Sequence, residues 1–455
     1  MQLLYDIIIN AIKHHSIDKN TSAQHTVAVL CGNEVFMDKI IINGGKPLYG
    51  NVAISGMKNA ALPIVFACIL TKSKCVIENI PIISDVAIAI DIIETMGGRI
   101  RHIDEKTVEI DTSELKYGAA PDELVSKMRA STYLIGAELG RFGRSSIGLP
   151  GGCNFGSRPI DQHVKGFKAL GADVIINDDK IVASTPNGVH SGSIYFDITS
   201  VGATINVMMA AVLAPGLTVI ENAACEPHVV DLANFFNTCG ANISGAGTNV
   251  IKIRGVEELH GCTYEIIPDM IEAGTFMTAV AATSGSITIE NIIPKHLESI
   301  TAKLRDMGVV VNEFDDYLEV TAGTSLKPTH VQTKPYPGFP TDMHPQFTAL
   351  LCRANGESVL TETVFENRFK YVDELAKMGA SIEVDGRIAK INGGAPLHGA
   401  SVTSVDLRAG AALIVAGLAA EGKTEVTNIE LIRRGYQDIV AKFRSLGADI
   451  SEIDE

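Results

Sequence analysis

The sequence contains no tryptophan, and aromatic residues make up only 5% of its 455 positions. Positive charge is also scarce, because 38 Lys and Arg face 53 Asp and Glu and leave a formal net charge of -15. Such a chain repels polyanions and acidic membrane surfaces, so we expect neither nucleic acid nor a membrane as a partner. The 46% of hydrophobic residues and the 42 glycines indicate many short packed elements and exclude disorder, collagen and coiled coil.

Long apolar runs and paired cysteine motifs are missing too. The N-terminal segment LLYDIIINAIKHH is too short to span a bilayer, carries Asp6 and has no small-residue cleavage site, so it fits neither anchor nor signal peptide. The eight cysteines are scattered without CxxC spacing, which argues against a zinc site or a disulfide framework and favours the cytoplasm. We therefore expect no metal and no cofactor. Residues 1–36 are interpreted as an N-terminal extension, because regular periodicity begins at Met37.

An internal repeat organises the rest of the chain. A glycine closes a helical pattern six times, at intervals of 74, 69, 68, 71 and 68 residues: Gly97, Gly171, Gly240, Gly308, Gly379 and Gly447. Apolar residues three apart precede each glycine and β-branched runs follow it, which predicts an amphipathic helix, a left-handed glycine cap and a strand. One such glycine means little, but six at nearly fixed spacing indicate a structural repeat of about 70 residues.

A second helix, apolar on all sides, is predicted about forty residues before each cap, in segments such as RASTYLIGAEL and GATINVMMAAVLA. Helices of this kind are buried. Six α/β modules exceed what one hydrophobic core holds, so we expect two domains of three modules each, with a cleft between them.

Cations stand where these buried helices begin. Lys58, Arg129 and Arg408 open the first, second and sixth of them, although a helix N-terminus favours negative charge. A bound phosphate or carboxylate would resolve this conflict, and a side chain that points into solvent would resolve it equally. Further arginines lie in turn-rich segments, where each is either an ion-pair partner or a ligand for a small polyanion: Arg158, Arg368 and Arg434.

Several other residues are candidates for acid and base chemistry. Cys153 lies in the glycine-rich segment LPGGCNFGSRP near Arg158, where positive charge would lower the pKa of a thiol, although a plain flexible loop is the alternative. Asp342 precedes the fifth buried helix and is either a helix cap or a base, and the same choice applies to Asp85 and Asp269. His163 is interpreted as a structural histidine.

At these residues the chain resembles the enolpyruvyl transferase family, and within it the branch that acts on UDP-N-acetylglucosamine. The resemblance runs from Met37 to the C-terminus through ISGMKNAALP, KMRAS, LPGGCNFGSRPIDQH, SVGAT, FPTDM, TETVFENRF, DLRAGAAL and RRGYQ. It implies an inside-out α/β barrel with two domains of three repeats, one at residues 58–267 and the other at 37–57 plus 268–455. It implies no cofactor and no obligate protein partner.

The implied reaction moves the enolpyruvyl group of phosphoenolpyruvate to the 3′-hydroxyl of UDP-N-acetylglucosamine and releases phosphate, as the first committed step of peptidoglycan synthesis. C3 of phosphoenolpyruvate is protonated, the hydroxyl adds at C2 to form a tetrahedral ketal, and loss of a C3 proton expels phosphate. Both substrates are anions, so an acid, a base and cationic clamps are required.

The resemblance also assigns roles by motif. Cys153 matches the catalytic cysteine that donates the proton and is alkylated by fosfomycin, and Asp342 matches the candidate base. Phosphoenolpyruvate is expected to contact Lys58, Asn59, Arg158 and Arg434. The nucleotide sugar is expected to contact Asn59, Arg129, Arg158, Pro159, Ile160, Asp161, Gln162, Ser200, Val201, Asp342 and Val364. Arg368 and Arg408 match a surrounding cationic shell.

Two alternatives stay open. A 5-enolpyruvylshikimate-3-phosphate synthase would share fold and donor, but its GDKSxSHR and GNxGTxxR signatures are absent. A regulatory paralogue that binds the nucleotide sugar without turnover is the second, and the presence of Cys153 and Asp342 argues against it. The chain departs from the family pattern at Ile198, Cys225 and His228, outside the core of the expected site.

Overall fold

The computed structural model describes residues 38–118, 120–151 and 160–453. Its helices in chain order are α1 Lys58–Ala67, α2 Ser84–Thr95, α3 Asp122–Val125, α4 Tyr133–Phe142, α5 Asp161–Ala169, α6 Val201–Ala211, α7 Pro227–Thr238, α8 Met270–Thr283, α9 Glu298–Asp306, α10 His344–Leu351, α11 Val372–Lys377, α12 Leu407–Ala419, α13 Glu430–Arg433 and α14 Ile439–Ser445. Short 3-10 turns cover Cys68–Leu70, Arg129–Thr132, Pro294–Leu297 and Thr341–Met343. Within these residues no helix has the length and apolar character needed to cross a membrane.

The strands are short. They are β1 Lys39–Asn43, β2 Tyr49–Ala53, β3 Lys74–Glu78, β4 Arg99–His102, β5 Val108–Asp111, β6 Arg144–Gly148, β7 Asp173–Ile176, β8 Lys180–Ser184, β9 Ser193–Tyr195, β10 Leu217–Glu221, β11 Asn242–Ser244, β12 Val250–Arg254, β13 Thr263–Glu265, β14 Ser286–Glu290, β15 Val310–Glu313, β16 Tyr317–Thr321, β17 His330–Gln332, β18 Glu357–Thr361, β19 Ser381–Asp385, β20 Ile388–Asn392, β21 Ser401–Thr403, β22 Lys423–Thr427 and β23 Asp449–Ile453.

The predicted repeat is confirmed by its glycine caps. The backbone angle φ is positive at all six: 97° at Gly97, 85° at Gly171, 96° at Gly240, 93° at Gly308, 88° at Gly379 and 89° at Gly447. Glycine adopts this left-handed conformation without the steric cost that other residues carry. Each cap ends an amphipathic helix, namely α2, α5, α7, α9, α11 or α14.

The six predicted apolar helices form the core. They are α1, α4, α6, α8, α10 and α12, and every residue of α8 and of α12 is buried. The start of the second apolar helix was predicted too early, because RAST forms the 3-10 turn Arg129–Thr132 and the α-helix starts only at Tyr133. Buried helices pack on one another within each half of the chain: α4 on α1 and α6, and α12 on α8 and α10. The helices are therefore inside and the half-buried sheets outside.

Five four-stranded sheets share one topology. A short strand lies parallel to the strand that follows the buried helix, and two antiparallel strands continue the sheet: β13-β3-β5-β4, β9-β10-β12-β11, β2-β14-β16-β15, β17-β18-β20-β19 and β21-β22-β1-β23. Among the described residues the remaining sheet has three strands, β6-β8-β7. Three strands pair far from their neighbours in sequence: β1 lies between β22 and β23, β2 lies parallel to β14, and β13 lies parallel to β3. The connections at 54–57 and 266–269 therefore run between sheets of the two halves.

A second repeated feature was not predicted. Asn79, Asn222, Asn291 and Asn428 directly follow the central strands β3, β10, β14 and β22, and all have positive φ values of 53° to 58°. Each side-chain amide donates a hydrogen bond to a backbone carbonyl beside the parallel neighbour strand, at 2.7 to 2.9 Å. Asparagine tolerates this conformation better than most residues and so fixes how each strand leaves its sheet.

Candidate active site

The first buried helix brings a lysine to an acidic partner. Lys58 is the first residue of α1, and its Nζ lies 2.6 Å from Oδ2 of Asp85, in the first turn of α2. Arg434, just after α13, donates to the same carboxylate from Nε at 2.9 Å and from a terminal nitrogen at 3.2 Å. Asp85 is thus an ion-pair partner of two cations. The sequence left open whether it is a helix cap or a base, and in the structure its carboxylate holds Lys58 and Arg434.

Burial sets the charge balance of this cluster. Lys58 is only 8% exposed, and burial together with the charges of Arg408 and Arg434 outweighs the attraction of Asp85 and lowers the pKa of its ammonium. Burial alone would raise the pKa of Asp85, but Lys58 and Arg434 outweigh that effect and lower it. Asp85 is consequently a carboxylate at neutral pH.

A second cluster surrounds Asp342. Its Oδ2 accepts from Arg408 at 3.0 and 3.3 Å, and its Oδ1 lies 3.6 Å from a terminal nitrogen of Arg368. The side chain of Asp342 is 29% exposed, whereas those of Arg368 and Arg408 are nearly inaccessible. Burial would raise the pKa of Asp342, but the two arginines outweigh that effect and hold it well below its usual range. Asp342 lies inside the 3-10 turn Thr341–Met343, and among the described contacts its carboxylate pairs with these arginines and not with a backbone N–H of α10.

The two clusters form one site. The charge of Lys58 contributes to the lowered pKa of Asp342, so the clusters lie within electrostatic range. The segment around Arg434 touches both clusters: a Cβ added at Gly435 would lie 3.1 Å from Cδ of Lys58, and the guanidinium of Arg408 lies 5.3 Å from the ring centre of Tyr436. Four cations therefore meet at the carboxylates of Asp85 and Asp342, and the charge of Asp269 also acts on Arg408.

Other predicted residues lie at helix N-termini. Ser200 caps α6, where its Oγ accepts from the backbone N–H of Ala203 at 3.3 Å, and Val201 is the first residue of that helix. Asp161 and Gln162 open α5 after Ile160, and Oε1 of Gln162 accepts from the backbone N–H of Asp197 at 3.0 Å.

Arg129 and His163 are within electrostatic range of each other. Arg129 is half-buried, and its charge contributes, after burial, to the lowering of the pKa of His163 to about 4. Nε2 of His163 would lie 2.8 Å from a Cβ added at Gly202, in the first turn of α6. His163 is therefore neutral and buried, although its Nδ1 has no hydrogen-bond partner within the described part of the chain.

The remaining predicted site residues differ in exposure and in role, and three of them lie outside the described part of the chain. Asn59 is half-buried in α1, and Val364 is 40% exposed. Asp269 is a helix cap, because its Oδ1 accepts from the backbone N–H groups of Ile271 and Glu272 at 2.7 and 3.2 Å. Cys153, Arg158 and Pro159 lie outside the described residues.

Sequence reasoning missed Glu362. Its buried carboxylate accepts five hydrogen bonds: from Thr333 Oγ1, Val364 N and Phe365 N at Oε1, and from Thr341 Oγ1 and His344 Nδ1 at Oε2. Burial would raise the pKa of Glu362, but the bond from His344 and the further donors lower it to about 2. Glu362 joins the segment that carries Asp342 to the segment that carries Arg368. It follows β18 where four other repeats have asparagine, so an alignment of the repeats could have revealed it.

The fold and the site define a class: an α/β protein of six repeats, with its sheets outside and a cation-rich site. The chain belongs to the EPSP synthase (3-phosphoshikimate 1-carboxyvinyltransferase) family, whose model matches residues 42–443. The fold class expected from the sequence is confirmed.

Individual relatives narrow the comparison. The chain is 53% identical over 421 residues to UDP-N-acetylglucosamine 1-carboxyvinyltransferase 3 of Caldanaerobacter subterraneus subsp. tengcongensis, covering 92% of this chain and 100% of the relative. It is 54% identical over 415 residues to UDP-N-acetylglucosamine 1-carboxyvinyltransferase of Clostridium botulinum, and the match covers 91% of this chain and 99% of the relative.

Solved structures show the same fold. The enolpyruvyl transferase NikO from Streptomyces tendae superposes with a TM-score of 0.83 at 26% identity, covering 92% of this chain and 99% of that one. EPSP synthase from Acinetobacter baumannii superposes with a TM-score of 0.71 at 18% identity, covering 91% of this chain and 100% of that one. At this identity the likeness indicates the fold alone.

Proposed function

We propose that this chain transfers the enolpyruvyl group of phosphoenolpyruvate to the 3′-hydroxyl of UDP-N-acetylglucosamine and releases phosphate, as the first committed step of peptidoglycan synthesis. The observation that carries the proposal is the cluster in which Lys58 and Arg434 meet at Asp85, and Arg368 and Arg408 meet at Asp342. Four cations held at one site suit a small polyanion such as phosphoenolpyruvate. Relatives that match nearly the whole chain carry the name of this activity.

Phosphoenolpyruvate is proposed to bind at Lys58 and Arg434, with Asn59 and Arg158 beside them. Asp85 contacts both cations in the structure and fixes their positions before the substrate arrives. Preorganised cations stabilise negative charge without reorganisation during the reaction, including the charge on phosphate as it leaves. Lys58 and Arg434 therefore serve the addition and the elimination alike.

Asp342 is proposed as the base for the 3′-hydroxyl. Its pKa is low while Arg408 and Arg368 hold it, which makes it a weak base in this arrangement. Anionic substrates compete for the same guanidinium groups, and a weakened ion pair would raise the pKa of Asp342 when both substrates are present. Asp342 would then act as a base only when both substrates are bound.

Cys153 is proposed as the proton donor to C3 and as the site of fosfomycin alkylation. The nucleotide sugar is proposed to contact the helix N-termini of α5 and α6 and their surroundings, with Arg129, Arg158, Pro159, Ile160, Asp161, Gln162, Ser200, Val201 and Val364. Free N–H groups at helix N-termini favour anions such as a diphosphate.

The domain division belongs to the same proposal. We place one domain at residues 58–267 and the other at 37–57 plus 268–455, with the active site in the cleft between them. The pairing of β2 with β14 and of β13 with β3 supports these limits. The cytoplasm is the proposed location.

The test measures phosphate release from phosphoenolpyruvate with UDP-N-acetylglucosamine or with shikimate 3-phosphate as acceptor. We expect release with the nucleotide sugar alone, and its loss after fosfomycin treatment. Release with shikimate 3-phosphate instead would favour the synthase alternative. Folded protein that binds the nucleotide sugar but releases phosphate with neither acceptor would favour the regulatory paralogue.

The role of Cys153 has a matched control. Cys153→Ser should abolish turnover and fosfomycin labelling with little change in melting temperature, whereas Cys225→Ser, at a half-buried cysteine, should keep both. Normal turnover by the Cys153→Ser protein would remove this cysteine from the mechanism.

A further inference from the structure

Three cysteines that are far apart in sequence, and that are not among the residues assigned to the active site, meet in the structure. Cys75 lies on β3, Cys239 directly follows α7, and Cys262 precedes β13. Their Sγ atoms all lie within 4.8 Å of one another, and those of Cys239 and Cys262 are 3.3 Å apart. The parallel pairing of β13 with β3 creates this meeting, which no spacing along the chain could reveal.

The distances suit a metal ion better than ordinary core packing. Sulfur atoms bound tetrahedrally at about 2.3 Å from zinc lie about 3.8 Å apart, so small side-chain shifts would bring the three to one ion. Thiols gain little from one another, because a thiol is a weak donor and a weak acceptor. Cys352 shows the alternative, since this buried thiol donates to the backbone carbonyl of Thr348 at 3.3 Å as an ordinary core residue.

Access and surroundings also fit an ion. Cys75 and Cys239 are buried, whereas Cys262 is half-buried and gives a route from solvent. On the inner side Cys75 contacts Oγ1 of Thr71 at 3.5 Å and approaches Cys68.

We propose that Cys75, Cys239 and Cys262 bind one thiophilic divalent cation of the Zn²⁺ and Cd²⁺ type. Each of the three thiols releases its proton to solvent and binds as a thiolate, and water completes the coordination on the side of Cys262. The ion would tie β3, the end of α7 and β13 together. Its role is structural and does not depend on the proposed enzymatic activity.

The experiment titrates the reduced, metal-free full chain with Cd²⁺ and records the ultraviolet absorption of thiolate-to-cadmium charge transfer. All proteins carry Cys153→Ser, so that this cysteine does not contribute. We expect one Cd²⁺ per chain, displaced by Zn²⁺. Cys262→Ser should weaken binding at least about tenfold, and Cys352→Ser should leave it unchanged. Zn²⁺ should raise the melting temperature of the Cys352→Ser protein but not that of the Cys262→Ser protein.

Three results would overturn the proposal. They are the absence of a charge-transfer band that saturates at one Cd²⁺ per chain, a Cd²⁺ affinity of the Cys262→Ser protein equal to that of the protein with Cys262, and a loss of affinity in the Cys352→Ser protein as large as that in the Cys262→Ser protein. A second measurement needs no variant in the cluster. X-ray absorption of the zinc-loaded protein should show sulfur neighbours at about 2.3 Å. A shell of oxygen and nitrogen alone would contradict the site.

Discussion

At the scale of the residue, the site depends on carboxylates that hold buried cations in place. Asp85 contacts Lys58 and Arg434, and its side chain is only 3% exposed. A lone buried charge is far costlier than a buried pair. The positions of both cations that we propose to bind phosphoenolpyruvate therefore depend on one acidic residue that the motif resemblance did not assign to the site.

Replacing this acidic residue should be costly. Asp85→Asn should lower the free energy of unfolding by about 3 kcal/mol, because two cations lose their buried partner. Asp306→Asn, which removes an exposed ion pair with Lys303, should cost at most about 1 kcal/mol. Urea unfolding of both variants gives the comparison, and equal costs would contradict the structural role of Asp85.

Glu362 gives a prediction for pH. Its pKa falls from an unfolded value of about 4.3 to about 2, so its carboxylate stabilises the fold above the unfolded value. That contribution is lost as the pH falls through this range toward 2. Glu362→Gln should therefore be less stable than the original protein at pH 7, and its stability should fall less between pH 5 and 2. Urea unfolding at each pH measures this. If the stabilities of the original and the Glu362→Gln proteins fell in parallel between pH 5 and 2, the low pKa of Glu362 would be contradicted.

At the scale of the element, the repeat could be predicted because its signals are local. A glycine that ends a helix and an apolar stripe that precedes it both act within one helix, and all six were identified. The start of α4 was placed too early because RAST favours a helical turn without specifying 3-10 or α geometry. Glu362 was missed because only comparison between repeats distinguishes it from the asparagines at the equivalent positions.

The caps can be tested with one matched pair of glycines. An added Cβ meets no atom within 4 Å at Gly308 or at Gly323, but only Gly308 has a positive φ, of 93°. Gly308→Ala should therefore cost about 1 kcal/mol through backbone strain alone. Gly323→Ala should be neutral or slightly stabilising. The midpoints of urea unfolding measure the difference between the two variants. Equal stabilities of the Gly308→Ala and Gly323→Ala proteins would show that the left-handed cap conformation does not affect stability.

At the scale of the whole molecule, the internal periodicity predicted six modules but not how they exchange strands, and only the family resemblance implied that the chain crosses between two domains. The pairing of β2 with β14 and of β13 with β3 joins residues more than 180 positions apart, as between Thr263 and Val76. Local periodicity carries no information on such partners. The same is true of the contacts that bring Asp85 to Arg434, and of the cysteine cluster, whose members appeared scattered along the chain.

The proposed cleft gives a prediction on this scale. If the two domains close on the nucleotide sugar, UDP-N-acetylglucosamine should reduce the radius of gyration in small-angle scattering. It should also slow protease cleavage in the segment around Cys153. Shikimate 3-phosphate, the acceptor of the alternative reaction, serves as the control and should change neither. An unchanged radius and unchanged cleavage at saturating nucleotide sugar would contradict closure.

The central claim is the transfer itself, and following the enolpyruvyl carbon tests it most directly. The protein is incubated with UDP-N-acetylglucosamine and phosphoenolpyruvate labelled with carbon-13 at C2, and the products are read by nuclear magnetic resonance. We predict a labelled enolpyruvyl ether on the 3′-oxygen of the sugar, formed in equal amount with phosphate. Label that appears only in pyruvate, or remains in phosphoenolpyruvate, would contradict the proposed function.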